Sequence, residues 1–142
     1  MERTPSDGDI SVGPPTGDDL QELLSALVRS RPEEFREHRR ALGAFIRGDE
    51  GELLAGIAGH TQFGWLCIEQ LWVDESTRGR GLGTRLLIAG EDEARARGCR
   101  AAWVDTYSFQ ARPFYETHGY RLFGELDDYP VASSRYFLHK KL

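Results

Sequence analysis

Residues 78–87 read RGRGLGTRLL. Gly79, Gly81 and Gly83 alternate with Arg78, Arg80 and Leu82, and Thr84 and Arg85 follow. The stretch lies behind an apolar run, GWLCIEQLWV at 64–73, and opens a segment with helical apolar spacing at Leu82, Leu86, Leu87, Gly90 and Ala94. The first turn of a helix presents unpaired amides and the positive end of its dipole. Glycine lets an anion approach the main chain and allows the φ values that turn successive N–H groups inward. Residue types and order together predict an anion site, with phosphate as the usual occupant. A solvated basic turn is the plainer alternative. Two common nucleotide loops do not fit. The glycine spacing is not G-x-G-x-x-G, even if Asp105 is taken as the downstream acid, and the lysine of G-x-x-x-x-G-K-[ST] is missing.

The rest of the chain must hold that loop in place. Leu20, Leu23, Leu24 and Leu27 share one face of a helix that Asp18 or Asp19 can cap and that runs to about Arg29. ISVGPPT at 10–16 reads as a short edge strand ending at its prolines. Residues 41–47 and 52–61 form a hairpin around Gly48–Gly51. In 64–73, strict alternation puts Trp65, Cys67, Glu69, Leu71 and Val73 on one face and Leu66, Ile68, Gln70 and Trp72 on the other. Both faces are largely apolar, as in a central strand covered on both sides. The long helix from Leu82 ends at Gly98. A strand at 99–107, a helix over about 109–118 closed by Gly119, and strands at 120–126 and 134–141 complete a mixed α/β domain with helices on both faces of one sheet.

The chain has 142 residues and a net charge of −5. That length suits a single domain spanning 1–142, with a loose start at 1–9. The acidic balance argues against a nucleic-acid partner and makes the arginines of the loop a local feature. Cys67 and Cys99 show no metal-ligand spacing and read as small buried hydrophobes in a reducing, cytoplasmic setting. No metal site is expected. His60, His118 and His139 are scattered and read as surface or packing residues, and His38 belongs to a basic face. No run is long enough to span a membrane. Exposed edge strands leave room for a homodimer.

At this point the sequence resembles a family. VDESTRGRGLGTRLL is similar to the acetyl-CoA signature of the GCN5-related N-acetyltransferases, R/Q-x-x-G-x-G/A after a central strand, with Arg78, Gly81 and Gly83 at its defining positions. FQARPFYETHGYRLFGEL resembles the family's later helix and strand, with Ala111, Tyr115, Gly119 and Tyr120 at the familiar spacing. The resemblance spans roughly 40–142. It implies one central, mostly antiparallel sheet, splayed at its middle strand, and direct transfer of an acetyl group from acetyl-CoA to the primary amine of a small molecule in a ternary complex. The backbone from Arg78 through Gly79, Arg80, Gly81, Leu82 and Gly83 to Thr84 would cradle the diphosphate. Free backbone groups near Leu71, Trp72 and Val73 would pair with the pantetheine arm, and the Val73 N–H would meet the thioester oxygen. Ser108 stands where the family commonly carries asparagine beside that arm.

Such a transfer moves two protons, one off the amine and one onto sulfur. The resemblance assigns the acid to Tyr115, one turn before Gly119; a core aromatic beside Phe114 is the alternative. Glu69 is the candidate base, because an acid in a strand apolar on both faces should be desolvated and raised in pKa. A salt bridge to an arginine and a chain of waters are the competing accounts. Asp105 would either orient a cationic substrate or cap the following segment. A fold retained only as a CoA-binding sensor is the alternative function.

Overall fold

The computed structural model describes residues 8–142. The expected loose start at 1–9 therefore lies outside the described residues for its first seven positions. The chain divides into two compact units, one ending at Arg36 and one running from Glu37 to Leu142.

The first unit carries helix α1 (Gly17–Ser30). Thr16, not Asp18 or Asp19, is its cap. The Asp19 N–H donates to the Thr16 hydroxyl at 3.0 Å, and the Thr16 N–H donates back to the Asp19 carboxylate at 3.0 Å. The Thr16 backbone N–H first, and the Thr16 side chain next, hold the Asp19 carboxyl below its ordinary range. Residues 10–16 form no strand, contrary to expectation, since Pro14 and Pro15 offer no amides to a ladder.

The second unit is a six-stranded sheet with helices α2 (Leu82–Ala96) and α3 (Arg112–Thr117). Its strands are β1 (Arg40–Arg47), β2 (Leu53–Gln62), β3 (Trp65–Val73), β4 (Ala101–Tyr107), β5 (Arg121–Asp127) and β6 (Ser134–Lys141). They lie in the order β1-β2-β3-β4-β6-β5. Only β3 and β4 run parallel, joined across α2; every other pair is antiparallel. The mixed α+β class and mostly antiparallel sheet are those expected.

One core lies on the face shared by Leu42, Ile57, Leu66, Ile68, Ala102, Val104 and Leu138. Helix α2 covers it with Leu82, Leu86, Leu87, Gly90 and Ala94, the stripe its spacing predicts, and α3 adds Tyr115. Gly98 and Gly119 end the two helices at φ +84° and +90°. Each closes its helix in the same way: the Cys99 N–H donates to the Ala94 carbonyl, and the Tyr120 N–H to the Tyr115 carbonyl. Helix α3 is shorter than the predicted 109–118, because Gln110 turns back to accept from the Tyr107 N–H and the Ala111 N–H is taken by the Thr106 hydroxyl.

The central strand departs from strict alternation. Its partners on β2 run Gly59↔Ile68 and then Ala58↔Gln70, so Glu69 is an extra residue, a β-bulge. The bulge resets the phase. Leu66 and Ile68 share the core face with Leu71 and Val73, whereas the sequence had placed Leu71 and Val73 with Trp65 and Cys67. Gly59 makes this approach possible: a Cβ there would sit 2.0 Å from the Cys67 carbonyl oxygen.

Candidate active site

Strands β3 and β4 are paired only from Trp65↔Ala101 to Ile68↔Val104. Beyond the bulge they separate, and Gln70–Val73 keeps its ladder to β2 alone. The main chain of β3 therefore faces an open wedge on its β4 side, the splay that the resemblance implies.

Two cavities meet at that wedge. The first, of about 380 Å³, is bounded by Leu71 and Val73, by the loop residues Arg78, Gly79, Gly81, Leu82, Gly83 and Thr84, and by Ala111, Phe114 and Tyr115. The second, of about 590 Å³, lies between the separated strands and is lined by Glu69, Gln70, Trp72, Asp105, Phe109 and Gln110 among others. Leu71, Val73, Arg78, Ala111 and Tyr115 border both. The geometry thus gathers most of the predicted loop and strand residues around one groove. Trp72 opens onto the second cavity, Arg80 lines neither, and Ser108 is held away: its hydroxyl accepts from the Ser134 N–H at 3.1 Å and its own N–H donates to the Ser134 carbonyl.

The loop has the form of an anion cradle. Gly81 is the cap residue of α2 at φ +73°, with no side-chain hydrogen bond to the first turn, and Gly79 lies at φ +82°. A Cβ at either would meet nothing within 4 Å, so it is backbone conformation and not crowding that calls for glycine. A one-turn 3-10 helix over Glu75–Thr77 fixes the loop's start. Asp74 accepts from the Ser76 N–H, and the buried Thr77 hydroxyl donates to the Asp74 carbonyl at 3.0 Å. The Arg78 Nε–H donates to the Val73 carbonyl at 3.3 Å, which ties the loop to the end of the central strand. An alanine at Gly81 would leave the apo loop to relax away from the cradle, and binding would have to restore it. For the phosphate-bearing carrier that the resemblance implies, Gly81→Ala is therefore expected to weaken binding roughly tenfold, the equivalent of the ~1–2 kcal/mol that a left-handed non-glycine residue costs. Titration calorimetry measures this directly.

Tyr115 sits where the cavities join. The residue is only 4% exposed, and its ring packs edge-on against Phe114 and Tyr120 at 5.3 and 5.6 Å. Its hydroxyl has no partner among the described residues, yet no enclosed polar atom among them lacks one. The hydroxyl therefore opens into the cavity. Burial, and next the charge of Asp105, push the phenol up to about 12.

Glu69 departs from its expectation. Its side chain is 43% exposed rather than desolvated, because the bulge turns it out of the apolar pattern. Its partner is His60, with Nδ1 2.5 Å from Oε1, and not an arginine. His60, Cys67 and Glu69 bring three ligand-type atoms within 4.8 Å of one another. The His60–Glu69 contact is shorter than an ordinary N–H···O hydrogen bond. Asp105 lines the second cavity and pairs with Arg135 at 2.8 Å, which also lies over the Tyr107, Tyr129 and Phe137 rings.

Sequence reasoning missed a buried cluster behind Tyr115. Glu91, on the inner face of α2, accepts from the Tyr120 hydroxyl at 2.8 Å and from Lys140 at 3.0 Å. Burial and the adjacent Glu91 charge hold the Tyr120 phenol far above its ordinary range. The signal was present: position 91 is one turn beyond Leu87, on the apolar stripe.

A splayed parallel strand pair with a glycine loop beside its end is the arrangement that the resemblance to the acetyltransferases implies. Residues 15–120 match the acetyltransferase (GNAT) family. The chain is 40% identical to blasticidin-S acetyltransferase of Streptomyces morookaense over 126 residues, covering 88% of this chain and 92% of that protein. It is 38% identical to an acetyltransferase of Agrobacterium fabrum over 103 residues, 72% of this chain and 75% of that one. A crystal structure of an acetyltransferase from Bacillus cereus superposes with a TM-score of 0.81 at 31% identity, covering 94% and 98% of the two chains. The chain belongs to the GNAT acetyltransferase family and is an acetyl-CoA-dependent N-acetyltransferase. No helix among the described residues is long and apolar enough to cross a membrane.

Proposed function

We propose that this enzyme acetylates the primary amine of a small molecule held in the cavity between β3 and β4. The observation that carries the reading is the position of Tyr115, whose hydroxyl opens where that cavity meets the loop-lined groove. A volume of about 590 Å³ falls within the usual range for small-molecule sites. Its carboxylates, Glu69 and Asp105, suit a substrate that arrives as a cation. The similarity to a blasticidin-S acetyltransferase points the same way.

Acetyl-CoA supplies the activated acyl group. The first cavity fits it, since the α2 N-terminus is uncapped and open space surrounds Gly79 and Gly81. The main chain at 78–84 would hold the diphosphate, and the free edge at Leu71–Val73 would align the arm. Glu69 Oε2 would take the proton from the attacking nitrogen, and the Tyr115 hydroxyl would donate to the departing sulfur. Holding both reactants in one wedge replaces a bimolecular encounter by an oriented one. The test is a panel of small amines, blasticidin S included, with acetyl-CoA, reading free thiol release and product mass. Acetylation of a small primary amine supports the reading. Transfer only to protein amines overturns it.

A further inference from the structure

The two oxygens of Glu69 are not equivalent. Oε1 lies 2.5 Å from Nδ1 of His60, while Oε2 has no hydrogen-bond partner among the described residues. His60 stands on β2 opposite Cys67. Its side chain is 15% exposed, against 43% for that of Glu69, so the imidazole is the anchored partner and the carboxylate the one that reaches out. Glu69 is the bulged residue and has no cross-strand partner on β2. The contact with His60 is thus what fixes its carboxylate, and Glu69 borders the cavity between the strands while His60 does not.

We infer that His60 is a positioning residue for acetyl transfer: its Nδ1–H holds Oε1 of Glu69 so that Oε2 is presented to the amine. The inference rests on the reading of Glu69 as the base. Cys67 and Glu69 on β3 neighbour the imidazole, and the β1 residue in register with His60 is the uncharged Ala41. Burial first, then the charges of Glu69 and Asp105, push the Cys67 thiol up to about 11, so the thiol beside the pair stays neutral through the working range.

The experiment is kcat and amine KM for the wild type, His60→Gln, His60→Ala and Glu69→Gln, with CoA affinity measured on each. A glutamine amide can still donate to Oε1. His60→Ala is expected to lose on the order of tenfold in kcat, a fraction of the 10²–10⁴ that a positioned base supplies. His60→Gln should recover most of that loss, with CoA affinity unchanged in both. No recovery in His60→Gln, or a wild-type rate in His60→Ala, overturns the inference. Glu69→Gln separates the two levels. At full rate it removes the base assignment itself. Slow Glu69→Gln with unaltered His60 variants removes only the role of His60.

Discussion

Tyr115→Phe is expected to lower kcat by on the order of 10²–10⁴-fold, the span of a positioned proton donor, while CoA binds as before. The substitution removes one oxygen. The ring stays packed against Phe114 and Tyr120, and no hydrogen bond is lost, since the hydroxyl has no partner among the described residues. A change confined to kcat marks an interaction made in the transition state, whereas a purely structural tyrosine would give a small loss spread over stability and binding. The pH dependence adds a second check. A phenol pushed up to about 12 keeps its proton through the working range, so a basic limb near the ordinary tyrosine value of about 10 should be missing. The linkage has a definite sign: the folded phenol holds its proton longer than the unfolded one, so this group's contribution to stability is intact below about 10 and is lost as pH rises toward 12. Stopped-flow thiol release and chemical denaturation across that window measure the two effects.

Lys140→Ala is expected to destabilise the fold by about 3 kcal/mol, the lower end of the cost of stranding a buried charge. Lys140 lies 3.0 and 3.1 Å from the two Glu91 oxygens, and the Glu91 side chain is 5% exposed. Without the ammonium, the carboxylate keeps only the Tyr120 hydroxyl. For a chain of this size the corresponding fall in Tm is roughly 10 °C. Because breaking such a pair costs more than replacing it, Glu91→Leu with Lys140→Met should recover much of the loss. The effect reaches the site as well. Tyr120 is held by Glu91 and packs edge-on against Tyr115, so Lys140→Ala should also lower kcat, which Tyr115→Phe does without changing Tm appreciably. Calorimetric scans and initial rates on the same preparations distinguish the two variants.

The parts of this enzyme legible in sequence are those that obey a period. The α2 stripe from Leu82 to Ala94 follows the helical repeat, and the glycines of the loop mark backbone conformations that other residues avoid. Glu69 was misplaced because alternation was carried through an extra residue. Nothing within β3 announces a bulge; its trace lies on β2, where Gly59 meets the Cys67 carbonyl. His60 was set aside for the same reason. Its neighbour becomes visible only when the turn at Phe63–Gly64 fixes the register of β2 and β3, which brings position 60 opposite 67 and next to 69. Glu91 sits on the apolar stripe of α2, but its partners, Tyr120 and Lys140, lie far along the chain and only the folded sheet brings them to it. The strand expected at 10–16 failed because β-type residues without donors at Pro14 and Pro15 make a poor ladder.

The account turns on where the carrier lies relative to Tyr115. A crystal structure of the complex with coenzyme A addresses it most directly. The prediction is a diphosphate accepting hydrogen bonds from main-chain N–H groups within 78–84, an arm along Leu71–Val73, and a sulfur within hydrogen-bond reach of the Tyr115 hydroxyl. A diphosphate seated away from Gly81 and Gly83, or a sulfur out of reach of Tyr115, would contradict it.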